Sequence, residues 1–275
     1  ALGIRRVKAA NSELAHALRD PDAAVRMQAA VALGRIGQAS SANALYDALG
    51  EQDIVARFTM IQAIRAIGNW QPALTGLRAA DGKTRATIIQ TLEGTFDSGA
   101  VDALNQWFHE ANEPTERVAA LQALVKVHRK ADPYTGGWWG GKAAGGKPAR
   151  PQEHPWAATD VVLKSIEAGL QQDQPQVRLA ALEALREVPI AETLSQVRRM
   201  IDDDPDQDIQ LEAIRLLTDL KDTKMLPSLL HLATDNSASN PLRQAAIRAV
   251  VAIDAEPYGK QLAKVAAAEE SPIPW

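Results

Sequence analysis

The chain of 275 residues contains no cysteine. Disulfides, thiolate chemistry, Cys-ligated zinc and covalent c-type haem attachment are therefore excluded within it. The lack of cysteine does not fix a compartment, because exported chains can also do without it. Aromatic residues are scarce, at 4% of a composition that is 46% apolar, and Ala, Leu, Ile and Val carry the apolar fraction. That balance suits closely packed small-residue helices better than a strand-rich sandwich. No run approaches the ~18 apolar residues of a membrane-spanning helix, and no signal-like apolar stretch is present. A net charge of −4 and a pI near 5.8 leave no basic excess to mark the surface for nucleic acid. The chain opens at Ala1 without a methionine, as a processed product or a domain excised from something longer would.

What the sequence does contain is a repeat. Its clearest copy runs Asp20-Pro21-Asp22-Ala23-Ala24-Val25-Arg26, with Ala29-Ala30, Ala32-Leu33 and Ile36-Gly37 behind it. The arginine recurs at Arg57, Arg85, Arg117, Arg178 and Arg243, with Gln210 in its place in one copy. Outside one insertion the anchors stand 28 to 33 residues apart. Counted from each anchor, positions +3, +4, +6, +7 and +10 are apolar or small in all seven copies. Ala181, Leu182, Ala184, Leu185 and Val188 show the pattern. That is one face of a 3.6-residue helix and not the alternation of a strand.

The turns before these helices carry start signals. Asp20-Pro21, Glu113-Pro114, Asp204-Pro205 and Asn240-Pro241 place a proline at or near the first helical position, where its missing N–H costs nothing. The preceding side chain can cap free amides in several copies. The copy at Asp81-Gly82-Lys83 lacks the proline. Segments 39–49, 100–109, 160–170 and 225–233 supply first helices of the pairs.

The D-P-x-x-x-V-R turn followed by x-x-A-A/L-x-A-L resembles the HEAT-repeat family, over nearly the whole chain. The resemblance implies an all-α fold: a right-handed α-solenoid of about seven helix pairs, forming a single domain over 1–275. The expected repeats are 1–37, 38–68, 69–97, 98–127, 158–188, 189–220 and 221–254, with an insertion at 128–157, a C-terminal cap at 255–270 and a loose tail beyond. It also implies that Arg26, Arg57, Arg85, Arg117, Arg178 and Arg243 form a structural ladder, each pairing with a turn aspartate of an adjacent repeat. In this family the second helices line the concave surface. Their outward +5 position holds Val31, Gln62, Gln90, Gln122, Glu183, Arg215 and Arg248. The neutral, Gln-rich first half and charged second half make either a plain solvated face or a groove for a bipartite protein partner.

Between the fourth and fifth copies the period breaks into a Gly/Pro-rich insertion too long for an ordinary turn. It holds Tyr134, Trp138, Trp139 and Trp156, and is locally basic through Arg129, Lys130, Lys142, Lys147 and Arg150 against Asp132 and Glu153. Linkers are poor in aromatics, so the insertion is expected to dock on the solenoid, as a plug between repeats or as a partner site. The string Asp132-Pro-Tyr-Thr-Gly-Gly-Trp-Trp-Gly140 resembles a loop in HEAT segments of PVC-type haem-binding, membrane-bound dehydrogenase-like proteins. There the array is joined to a β-propeller and a CxxCH cytochrome domain. Neither is present here, so the resemblance implies a docking or spacer module of an exported redox protein, with the active parts elsewhere.

Chemical motifs give little. Gly141 to Lys147 meets half of a phosphate-loop pattern, but Pro148 stands where Ser or Thr must hold Mg²⁺. Asp202, Asp203, Asp204, Asp206 and Asp208 lack the glycine and bidentate glutamate of a calcium loop, and acids at a helix start are favoured anyway. His109-Glu110 resembles one His-Glu pair of HEAT-type deoxyhypusine hydroxylases, which need several. The expectation is a non-catalytic scaffold for a protein partner or sister domain, without cofactor, metal, nucleic acid or small-molecule ligand. A HEAT-like bilin lyase and a carbohydrate-binding module using the tryptophans are the alternatives. A HEAT-type DNA glycosylase would need a basic groove that the ridge does not supply.

Overall fold

The computed structural model describes residues 7–132, 152–254 and 258. The expectations for Tyr134, Trp138, Trp139, Lys142, Lys147, Arg150 and the 255–270 cap lie outside the described residues, Tyr258 apart. The chain divides into two compact units, Ala1–Ser165 and Ile166–Trp275.

Unit 1 carries α1 (Asn11–Ala17), α2 (Ala23–Ile36), α3 (Ala42–Asp47), α4 (Ile54–Ile67), α5 (Gln71–Ala79), α6 (Gly82–Leu92), α7 (Ser98–Glu110) and α8 (Pro114–Val125). They pack as successive antiparallel pairs. The second helices α2, α4, α6 and α8 stack in one layer, and α3, α5 and α7 in the other. The core lies between the layers, where the periodic positions meet: Ala29, Ala30 and Leu33, then Met60, Ile61 and Ile64, then Ile88, Ile89 and Leu92, then Leu121 and Leu124. The all-α architecture follows from that periodicity, since no repeat hides its apolar face alone.

The boundary falls within α9 (Thr159–Gly169), and unit 2 holds its last turn, then α10 (Pro175–Glu187), α11 (Leu194–Asp203), α12 (Gln207–Asp219), α13 (Leu226–Thr234) and α14 (Asn240–Asp254). Here α11 pairs with α12 and α13 with α14, while α10, α12 and α14 stack.

Aspartate side chains cap α2, α4, α6, α7 and α12, and in each the cap is not an acid directly before a proline; Glu113, before Pro114, makes no cap bond to α8. Asp22 accepts from the Ala24 amide at 2.8 Å and Asp206 from that of Asp208 at 2.9 Å, so in these copies the cap follows Pro21 and Pro205. Asp53 and Asp81 cap α4 and α6. Helices α2 and α4 end on left-handed Gly37 and Gly68, at φ 72° and 69°, the conformation a Cβ disfavours. After α12 the same conformation falls on Lys221, at φ 54°. The helix ends one residue short of Leu220, which is left exposed at the +10 position.

The insertion begins and ends on a feature that periodicity did not announce. Lys130–Ala131 (β1) and Glu153–His154 (β2) form a two-stranded antiparallel ladder, with Lys130 opposite His154 and Ala131 opposite Glu153. Below it the Trp156 indole donates to the Val127 carbonyl at 2.6 Å and meets Phe96 edge-on at 5.6 Å between centroids. Thr159 Oγ1 donates to the His128 carbonyl at 2.6 Å. Trp156 thus closes the base of the insertion. Trp156→Ala is expected to lower the stability of unit 1 by about 2 kcal/mol, less than the ~3–5 kcal/mol of a fully buried aromatic because the ring is half-buried. Faster amide exchange at Val127 and Asp132 would register it.

Candidate binding surface

The anchor arginines face two ways. Toward their own repeat they donate to carbonyls of the turn five or six residues back: Arg26 to Asp20 and Pro21, Arg57 to Glu51, Arg85 to Ala80, Arg117 to Ala111, and Arg178 to Gln172 and Asp173. These carbonyls follow the first helix of each pair and lack helical partners, so a guanidinium satisfies them. Toward the next repeat, Arg26 pairs with Glu51, Arg85 with Glu116 at 2.6 Å, and Arg178 with Asp204 through two 2.8 Å bonds. Of these three acids, Asp204 is a turn aspartate and the other two are glutamates. The Arg26 guanidinium holds Glu51 below the ordinary carboxylate range. Arg85 also lies 5.9 Å from the Trp107 ring centroid. Arg243 donates to Asn240 Oδ1 at 3.0 Å, and Gln210 is half-buried.

A second set of cations staples the far ends of the stacked helices. Arg65 on α4 donates to the Gln90, Thr91 and Glu93 carbonyls at the end of α6, and Lys221 Nζ donates to the Ala252 carbonyl of α14 at 2.5 Å. Last-turn carbonyls are the negative end of the helix dipole, so each contact satisfies an acceptor and a field together.

The outward +5 positions stand apart from these bonds of the anchor row. Gln62, Gln90, Gln122, Glu183, Arg215 and Arg248 are exposed, and Val31 is half-buried. A feature that the +5 count missed lies one turn earlier on α4. Ile54, Val55 and Phe58 are 73%, 60% and 61% exposed. They continue along one stripe into Gln62, since 54, 58 and 62 are spaced by one helical turn. The equivalent positions on α2 hold Met27, half-buried, and Ala24, exposed. The signal was present in the sequence, because only the second copy carries Ile-Val at −3 and −2 with Phe at +1. It could not be told from core by periodicity alone.

In unit 2 the face is different. Between α12 and α14 lies a cleft of about 510 Å³, reached also by Arg186 from the end of α10. Arg215 and Arg248 stand on its rim. Arg186 is held by Glu212 at 3.0 Å and Asp219 at 3.4 Å.

The other titratable groups singled out by the sequence make local contacts. Glu110 pairs with Arg78 at 2.7 and 2.8 Å and is held below the ordinary carboxylate range, first by that bond and then by Gln106. His109 rests edge-on against Phe108. Asp204 serves Arg178 and the Asp206 amide, and Asp206 serves α12. Among the described residues no group of three His, Cys, Asp or Glu side chains is placed to hold a metal, and no helix is long and apolar enough to cross a membrane.

The sequence matches the family model described as HEAT repeats over residues 1–68 and 163–272. No curated protein matches it. Similar solved structures include an engineered protein at 16% identity, with 92% of this chain and 70% of that chain covered and a TM-score of 0.41. The complex of CpcE and CpcF of phycocyanin lyase from Nostoc sp. PCC7120 is 17% identical, with coverages of 94% and 92% and a TM-score of 0.34. Human deoxyhypusine hydroxylase in complex with glycerol is 16% identical, with coverages of 90% and 85% and a TM-score of 0.38. At such TM-scores these likenesses transfer neither ligand nor activity. The matched stretches span more than half of the sequence, and the chain belongs to the HEAT-repeat family.

Proposed function

We propose that the chain is a non-catalytic scaffold that binds another protein through the outward face of its second helices. One observation carries this reading: Ile54, Val55 and Phe58 stand more than half exposed on a single helix whose inner face is fully packed. Large apolar side chains gathered in water are a standing cost unless a partner covers them, and contiguous patches of this kind mark interaction sites. Phe58 has the size and rigidity of an interface anchor. The neutral Gln62 and Gln90 beside it supply a polar rim that lets a partner dry the patch without stranding a charge.

Phe58→Asp combined with Val55→Asp is expected to abolish capture of the partner from lysate of the source cells, by more than about tenfold, with helical circular dichroism unchanged. A partner retained at full yield by this variant would sink the reading. The resemblance of residues 132–140 extends it to a docking or spacer module of a larger exported redox protein. A CxxCH segment encoded downstream of Trp275 would support that extension, and its absence from the gene would remove it.

A further inference from the structure

The cleft of unit 2 differs in chemistry from the apolar stripe on α4. Its floor is apolar, from Leu211 and Ile214 on α12 and Ala245 and Ala249 on α14. Its rim carries Arg215 and Arg248, with the exposed Asp219 beside Arg186. Glu212, almost wholly buried beneath it, anchors Arg186 and reaches Arg215 only at 3.4 Å. Arg215 keeps 66% of its side chain exposed. Arg248 donates to Gln244 Oε1 at 3.0 Å and has no carboxylate partner among the described residues. Arg186 is therefore committed to its own acids, whereas Arg215 and Arg248 are held in place but largely unneutralised.

The combination is specific. Two other well-exposed arginines, Arg78 and Arg186, at 52% and 39% side-chain exposure, each pair with a carboxylate at 3.0 Å or less. Two guanidiniums left over an apolar slot, in a protein of net charge −4, present an unmet demand for carboxylates together with a place to bury a side chain. Arginine's planar fork binds carboxylates in a bidentate manner, and its weak hydration makes it a favoured interface cation. A volume of about 510 Å³ lies in the range of ordinary ligand sites. A nucleic acid would ask for a longer basic track, and here Asp219 and Glu183 interrupt it.

We propose that this cleft binds an acidic peptide segment of a partner protein. One apolar side chain seats against Leu211, Ile214 and Ala249, and flanking carboxylates pair with Arg215 and Arg248. The inference rests on the reading of the chain as a protein-binding scaffold and gives that partner's chemistry at a second, separate place.

The test is a degenerate library of seven-residue peptides passed over the immobilised intact chain. Expected is enrichment of Leu, Ile, Met or Phe flanked by Asp or Glu. An enriched peptide should lose affinity by more than about tenfold with Arg215→Glu/Arg248→Glu, and its binding to the parent chain should weaken as salt is raised. Ala245→Phe, which fills the slot without changing charge, should also abolish binding. Arg19→Glu/Arg35→Glu, the same charge change at exposed positions of unit 1, should leave it intact. Sequences without acidic enrichment, or capture indifferent to the double variant, would overturn the proposal. So would tighter binding of a mixed-sequence oligonucleotide, or a concentration-dependent dimer that the double variant abolishes, since a second copy would then be the occupant. No peptide captured by the parent chain, while that chain still captures the α4 partner, removes the cleft alone. Failure of the Val55 and Phe58 variant to release its partner, with peptide capture normal, removes the α4 reading alone.

Discussion

Replacing Arg178 by alanine is expected to destabilise unit 2 by about 3 kcal/mol or more, the range for removing one partner of a buried ion pair. The side chain is 10% exposed. It spends both edges of its fork on Asp204 and a third nitrogen on the Gln172 and Asp173 carbonyls. The substitution leaves a carboxylate with only 6% side-chain exposure facing nothing but the Asp206 amide, and two carbonyls without their donor. What is lost is less the attraction of the pair than the solvation that its survivor can no longer regain. Arg178→Lys keeps the charge but not the planar fork, and should recover less than half of the loss. The Arg78–Glu110 pair has the same bidentate form with 52% and 34% side-chain exposure, and its removal should be felt far less. Amide exchange in α10 and α12 is the better readout, because repeat arrays open locally and a single melting temperature can hide the damage. Unchanged protection in those helices would show that the junction does not depend on this residue.

Gly34→Leu should be at least as damaging to unit 1. A Cβ at this position would stand 2.9 Å from the Ala63 Cα and 3.1 Å from its Cβ. The obstacle is backbone, which cannot swing aside as a side-chain tip can. Even alanine sets a helix-propensity gain of about 1 kcal/mol against an overpacking loss of ~1–3 kcal/mol. Leucine adds volume with no further gain, and α2 and α4 must separate along their whole contact. A destabilisation near or above 3 kcal/mol in urea is expected. A leucine variant as stable as the parent would mean that the two helices are not pressed together here.

From sequence alone Gly34 reads as a weak point in a helix. The structure gives it a packing role that only the neighbour's position can reveal. The same division runs through the molecule. Helix pairs were legible because positions +3 to +10 repeat seven times, and each copy makes the others easier to recognise. The arginine anchors were legible as a row, but half of their bonds were not, since a backbone carbonyl leaves no trace in residue type. The strand pair at Lys130–Ala131 and Glu153–His154 is too short to carry any alternation. Phe58 was hidden by its own hydrophobicity, because an apolar residue next to an anchor looks like core until the neighbouring helices are in place. Arg186 lies at +8, off the outward row, and reaches the cleft only because α10 stacks on α12. The candidate surfaces are thus made by packing between repeats, which is the level at which a single repeat's sequence stops being informative.

The turn after α12 joins two demands on one residue. Lys221 holds a backbone angle that its counterparts leave to Gly37 and Gly68, while its ammonium grips the last turn of α14. A glycine there would ease the local chain and let go of the following helix at once. Comfort inside one repeat and grip on its neighbour are therefore traded through a single side chain, and this corner of the array holds its shape by tension where the earlier corners hold theirs by fit.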